Sequence, residues 1–278
     1  MPFIESGTGK DQKQLYYEDW GTGRPLVFIH GWPSSHQMWE YQLTYFAAKG
    51  YRVIAYDRRG FGESFKPWES YDYNTLAADL KLVLDTLDLK DVTLIGFSMG
   101  GGEVVRYCSK YNSERIKSIV LVSSIIPFML KTDSNPDGLP QELFDGFIEQ
   151  LLEDRPAFLT TFGKLFFGET LVNHPISQPT MDWAHSLTLV ASPKATIDCV
   201  TSFSATDFRA ELASLKMPVL IIHGDKDKIV PIEVSSERTA AAIPQATFKI
   251  YDGAPHGLFI TEKDALNADI EEFLKSNS

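Results

Sequence analysis

Cysteine is scarce: the 278-residue chain has only Cys108 and Cys199. Two thiols cannot build a disulfide framework, so a packed core has to hold the fold, and the pair reads as reduced thiols of a cytoplasmic protein. Positive charge is also in short supply. The 26 basic side chains face 37 acidic ones, a formal charge of −11. That balance argues against nucleic acid and anionic membrane as partners, because both attract basic surfaces. No run approaches the roughly 18–20 apolar residues of a membrane span, and the opening MPFIESGTGKDQK has no apolar stretch to serve as a signal peptide. Metal and phosphate signatures are missing too. There is no two-His helix motif or Cys pair for zinc and no Gly-Lys-Ser/Thr loop, and Gly96-Phe97-Ser98 breaks the Gly-x-Gly start of a dinucleotide site.

What is present is a repeating rhythm of short apolar runs and helical patterns. PLVFIH (25–30), YRVIAYD (51–57), VTLIGFS (92–98), IKSIVLVSS (116–124), PVLIIHG (218–224) and ATFKIYD (246–252) are almost continuously apolar, as strands buried on both faces are. Between them, TLAADLKLVLDTL (75–87) puts Leu76, Leu80, Val83, Leu84 and Leu87 on one helix face. This alternation predicts the α/β class, a mostly parallel, doubly wound sheet. QLYYEDW (14–20) alternates and predicts an antiparallel N-terminal hairpin. The rhythm breaks over 127–207, which is rich in Phe, Leu and Trp without a convincing strand. Residues 1–126 and 208–278 therefore read as one core domain, and 127–207 as a helical cap inserted over the sheet end. KDALNADIEEFL predicts a closing amphipathic helix.

Gly96-Phe97-Ser98-Met99-Gly100 follows a strand and precedes the helical GGEVVRYCSKY. A sharp strand–turn–helix of this kind lifts a serine hydroxyl above the sheet and needs glycines because no Cβ fits beside it. A serine nucleophile needs a base and an orienting acid, which should follow in the order Ser, acid, His. Asp227, after the PVLIIHG strand, and His256, after the last strand, fill those places at the sheet edge where strand C-termini gather. Asp225 is the rival acid, although two residues closer to the strand it is better placed to shape the turn. The Trp32 amide, in His30-Gly31-Trp32-Pro33, and the Met99 amide are the expected oxyanion donors. His30 is expected to brace that loop, and His223 to be a hydrogen-bonded core residue. His36, His174 and His185 read as solvated or helix-surface groups. Pro33 restrains the Trp32 backbone, which would fix the Trp32 carbonyl where an attacking hydroperoxide could donate to it. DRRGFGES (57–64) reads as a structural corner with ion pairs.

Taken together, HGWP, YDRRGFGES, GFSMGGGEV, NPDG, CVTSFSATDF, HGDKDKIVP and APHG resemble, in order and spacing over essentially the whole chain, the α/β-hydrolase fold and within it the cofactor-free bacterial haloperoxidases and aryl esterases. The resemblance implies Ser98 as nucleophile, His256 as general base and acid, and Asp227 as orienting acid. It further implies that Phe158, Phe162 and Phe203, with Ile229 and Trp32, line an acyl pocket. The implied chemistry is acyl transfer from small-molecule esters or carboxylic acids to water or hydrogen peroxide, the latter giving peracids that oxidise halide. No haem, flavin or metal is implied. Similar proteins often form dimers or larger rings, so a homo-oligomer is an expectation. Ser98 argues against dehalogenases and epoxide hydrolases, which attack with a carboxylate. A C–C bond hydrolase or a ligand-binding receptor on this fold remains an alternative.

Overall fold

The computed structural model describes residues 3–7, 13–111 and 113–277; the outer limits of the expected core, residues 1 and 278, lie outside the described residues. The chain begins with an antiparallel hairpin, β1 (Phe3–Ser6) and β2 (Lys13–Trp20). The six apolar runs become β3 (Pro25–Ile29), β4 (Arg52–Tyr56), β5 (Val92–Phe97), β6 (Ile116–Val122), β7 (Val219–Gly224) and β8 (Thr247–Tyr251). One eight-stranded sheet results, ordered β1-β2-β4-β3-β5-β6-β7-β8 and parallel from β4 to β8. Every residue of β5 and β7 is buried. β8 departs from the expected double burial, because as the edge strand it has a neighbour on one side only and stays half-buried or exposed.

The sheet reverses its build direction at β3. Chain passing from β3 through α1 (Glu40–Ala48) to β4 moves one way, and from β4 through α2 (Tyr73–Thr86) to β5 it moves back. Right-handed crossovers then put α1 and α2 on opposite faces. α2 is capped by the Asp72 carboxylate, which accepts the Asn74 and Thr75 N–H groups. Its Leu76, Leu80, Val83 and Leu84 are buried as the periodicity predicts. α2 packs on α3 (Met99–Lys110), the helix that follows β5. The reversal leaves a crevice between the C-terminal ends of β3 and β5.

Between β6 and β7 the chain runs through α4 (Gln141–Phe166), α5 (Gln178–Leu189) and α6 (Pro193–Ala205). Among the described residues of 127–207, the strand-like pairings are isolated bridges, Leu130–Leu139 and Thr132–Asn135. α4 is two helical arms in one, interrupted at Asp154 (φ −151°, ψ 85°) just before Pro156. Proline cannot supply an N–H to the helical ladder, and the Asp154 carboxylate caps the second arm by accepting the Ala157 N–H at 3.0 Å. After β7 come α7 (Ser236–Ala242), α8 (Leu258–Thr261) and the predicted closing helix, α9 (Lys263–Ser276), which packs on α1. No helix is long and apolar enough to cross a membrane among the described residues. Cys108 and Cys199 are unpaired and fully buried, and burial pushes both thiols up to about 12.

The 57–64 segment is a charged corner. Arg59 and Asp79 form a buried bidentate pair. Asp57 Oδ1 accepts the His36 N–H at 2.7 Å and faces His36 Nδ1 at 2.8 Å, while Oδ2 accepts the Glu63 N–H at 2.8 Å. His36, expected at a solvated position, is therefore buried; its partner lies 21 residues away, beyond any local pattern. Burial lowers the basicity of His36, but Asp57 and Glu18 outweigh burial and raise it above the ordinary histidine value. Because the folded-state value is the higher one, the charged pair stabilises the fold fully below about pH 6.5, and the contribution fades as pH rises through the raised value. The Tm gap between the protein and its His36→Gln variant should be widest below that pH and shrink as pH rises above it. A gap independent of pH would show that His36 acts only by packing.

Candidate active site

Ser98 stands at the crevice between β3 and β5, with φ 52° and ψ −118°. Few L-residues adopt such a backbone unless their surroundings hold it. Here the Ser98 N–H donates to the Val122 carbonyl at 2.9 Å, and the Ser98 carbonyl accepts from the Gly101 and Ile125 N–H groups at 3.1 and 3.3 Å. Neighbouring backbone comes close. A Cβ at Gly96 would lie 2.8 Å from the Gly100 oxygen, and one at Gly31 would lie 2.5 Å from the Phe97 ring. Only glycine fits at either position.

The loops after β7 and β8 bring Asp227 and His256 to this serine. His256 Nε2 is 3.0 Å from Ser98 Oγ, and His256 Nδ1 is 2.6 Å from Asp227 Oδ2. A carboxylate can only accept, so Nδ1 carries the proton and Nε2 is left to accept from the serine hydroxyl. The Phe97 and Phe166 rings each lie 4.8 Å from the imidazole centroid and fix its plane. Asp227 is saturated with donors. Its Oδ1 accepts the Ile229 and Val230 N–H groups at 2.9 and 2.8 Å, and its Oδ2 also faces His223 Nε2 at 3.0 Å. That nitrogen is also 2.8 Å from the Val230 carbonyl, so it too carries a proton, while His223 Nδ1 accepts from the Ser236 hydroxyl. Burial alone would push the Asp227 carboxyl up, but His256 and His223 outweigh it and hold the group well below the usual carboxylate range.

The α/β hydrolase fold family model matches residues 24–263. A non-heme chloroperoxidase of Kitasatospora aureofaciens is 40% identical over 96% of this chain and 98% of its own length. The chain is an α/β-hydrolase of the non-haem haloperoxidase family. A bifunctional esterase/perhydrolase of Acinetobacter calcoaceticus is 37% identical over 97% of this chain and 99% of its own. Among solved structures, a bromoperoxidase from Bacillus anthracis superposes with a TM-score of 0.94 at 43% identity, covering 98% of this chain and 99% of that one.

Within this hydrolase, Trp32, Phe162, Phe203 and Ile229 line the same small space as Ser98 and His256. Phe158 does not line it; its ring packs behind, 6.5 Å from Trp32 and 5.7 Å from Phe162. Phe144, Phe147 and Met129 also line the space. Sequence reasoning passed over them, although the i, i+3 pair of rings on one helix is a legible signal. Asp225 accepts the Gly253 N–H at 2.7 Å and shapes the turn. Met99 opens α3, and the first N–H groups of a helix have no partner within it.

A buried network lies beneath the Trp32 loop. Arg58 pairs with Glu103 of α3, whose other oxygen accepts the Tyr56 hydroxyl at 2.7 Å. Arg58 also donates to the His30 carbonyl at 2.6 Å, and its backbone N–H donates to His30 Nε2 at 3.0 Å. His30 is thus the brace the sequence suggested, with Nδ1 2.8 Å from the Gly31 carbonyl. Burial, with Arg58 beside it, lowers its basicity far below the ordinary value, so the ring is neutral and Nδ1–H donates.

Proposed function

We propose that the chain is a serine carboxylesterase whose acyl-enzyme is cleaved by hydrogen peroxide as well as by water. The observation that carries this reading is the unbroken Ser98–His256–Asp227 hydrogen-bond chain. Ser98 Oγ attacks the ester carbonyl as its proton passes to His256 Nε2. The same proton then leaves with the alcohol, and Ser98 stays acylated. Water or peroxide next gives a proton to His256 and attacks the acyl carbon, releasing Ser98 and a carboxylic acid or a peracid. A free carboxylic acid enters the same cycle by acylating Ser98 with loss of water. The Trp32 and Met99 amides stabilise the oxyanion, helped by the positive end of α3. Asp227 orients His256 and stabilises its charged form, and His223 holds Asp227 in place. Residues 127–207 act as a cap whose Phe162 and Phe203 enclose the acyl group. Peracid released from the site oxidises halide in solution. The family resemblance and the esterase/perhydrolase relative support both branches.

The test is to mix the protein with an aryl acetate, quench, and map the acetylated peptide by mass spectrometry. Acetyl on Ser98, and a share of peracetic acid that rises with added peroxide, is the expected result. Acetylation elsewhere would overturn the reading. The Pro33→Ala enzyme should send a smaller share of the acyl group to peroxide, and an unchanged ratio would remove Pro33 from the peroxide step.

A further inference from the structure

Two spaces meet at the same pair of aromatic rings. The one beside Ser98 and His256 measures about 20 Å³, and a single water needs about 10–15 Å³ measured in the same way. That space is far too small for a benzene-sized group. On the far side of Trp32 and Phe162, which line both spaces, lies a chamber of about 120 Å³. Apolar cavities of about 150 Å³ take up benzene. Phe97, Phe166, Leu187, Phe259 and Ile260 give the chamber an apolar wall.

Only one of the two dividing rings is free of polar ties. The Trp32 indole N–H donates to the Thr196 carbonyl at 3.0 Å, which pins that ring. Phe162 is held by apolar packing, with ring contacts at 5.2 Å to Trp32, 5.7 Å to Phe158, 6.0 Å to Phe166 and 6.1 Å to Phe147. The next residue is Gly163, where a Cβ would meet nothing closer than the Met181 sulfur at 3.7 Å. The helix surface beside Phe162 therefore has room on the chamber side.

We infer that Phe162 is a gate, and that with its ring turned aside the chamber receives a benzene-sized apolar group of the substrate. The inference rests on the esterase reading. That group can come from the acyl part or the alcohol part of the ester, and the test separates the two. Gly163 lines the chamber and not the space beside Ser98, so Gly163→Leu places a side chain in the chamber alone, and leucine is a better helix former than glycine, so the fold is kept. Relative to the wild type, kcat/KM for methyl acetate should stay within about two-fold. It should fall about ten-fold or more for phenyl acetate if the alcohol side occupies the chamber, or for methyl benzoate if the acyl side does. Phe162→Ala should lower KM for whichever bulky ester is affected. Toluene, which carries the apolar group without an ester bond, should bind the wild type in calorimetry and not Gly163→Leu. Toluene binding to both proteins or to neither, or identical kinetics on all three esters, would overturn the gate. If no ester is turned over yet toluene discriminates the two proteins, the chamber stands and the esterase reading falls.

Discussion

Replacing Ser98 with alanine is expected to cut aryl acetate hydrolysis by about 10³-fold or more. The substitution removes one oxygen from a residue that is only 5% exposed, and alanine can hold the same backbone, so circular dichroism and Tm should be nearly unchanged. What remains is the catalysis supplied by the oxyanion donors and by binding alone. The loss should fall on kcat rather than on KM, because the nucleophile acts only as the transition state forms. No acetyl-protein should accumulate at Ser98. A variant that retains activity within about ten-fold of the wild type would mean that another group attacks the carbonyl, and covalent transfer through Ser98 would be wrong.

The second large effect is on stability. Glu103→Ala strands Arg58, a fully buried cation, and removes the acceptor of the Tyr56 hydroxyl. Breaking one side of a buried pair typically costs about 3–5 kcal/mol. At roughly 2–4 °C per kcal/mol for chains approaching this size, Tm should drop by about 10 °C. Activity should fall as well, since Arg58 holds the His30 carbonyl next to the Trp32 loop. The double variant Arg58→Met/Glu103→Leu buries no unpaired charge and should recover most of the lost Tm. It should not recover full activity, because the brace on the loop is gone. If Glu103→Ala melts within a degree or two of the wild type, the network is not what holds this region together.

The parallel sheet was legible because its strands are apolar on both faces and end in marked turns. Residues 92–97 and 219–224 are buried at every position. Ser98, Asp227 and His256 could be named because each follows a strand whose end lies at the same sheet edge, so local context carries the spatial information. His36 could not be read this way: its burial depends on Asp57, brought close only by tertiary folding. The contact of His223 with Asp227 was hidden for a related reason, since it needs the loop after β7 to turn back on its own strand. Phe158, Phe144 and Phe147 look alike in sequence. Which of them faces Ser98 is decided by how α4 lies over the sheet.

The break at Asp154 divides labour along α4. The arm beyond it carries Phe158, Phe162 and Phe166 at intervals of four, one stripe that reaches from the rear of the pocket to the face of His256. The first arm contributes Phe144 and Phe147 to the same pocket, Phe147 packing on Phe158 and Phe162. Ser98, Asp227 and His256 themselves stand on loops of the sheet. An evolving lineage, or a designer grafting segments between relatives, can therefore exchange the first arm and change which molecules are accepted, while the second keeps Phe166 against His256.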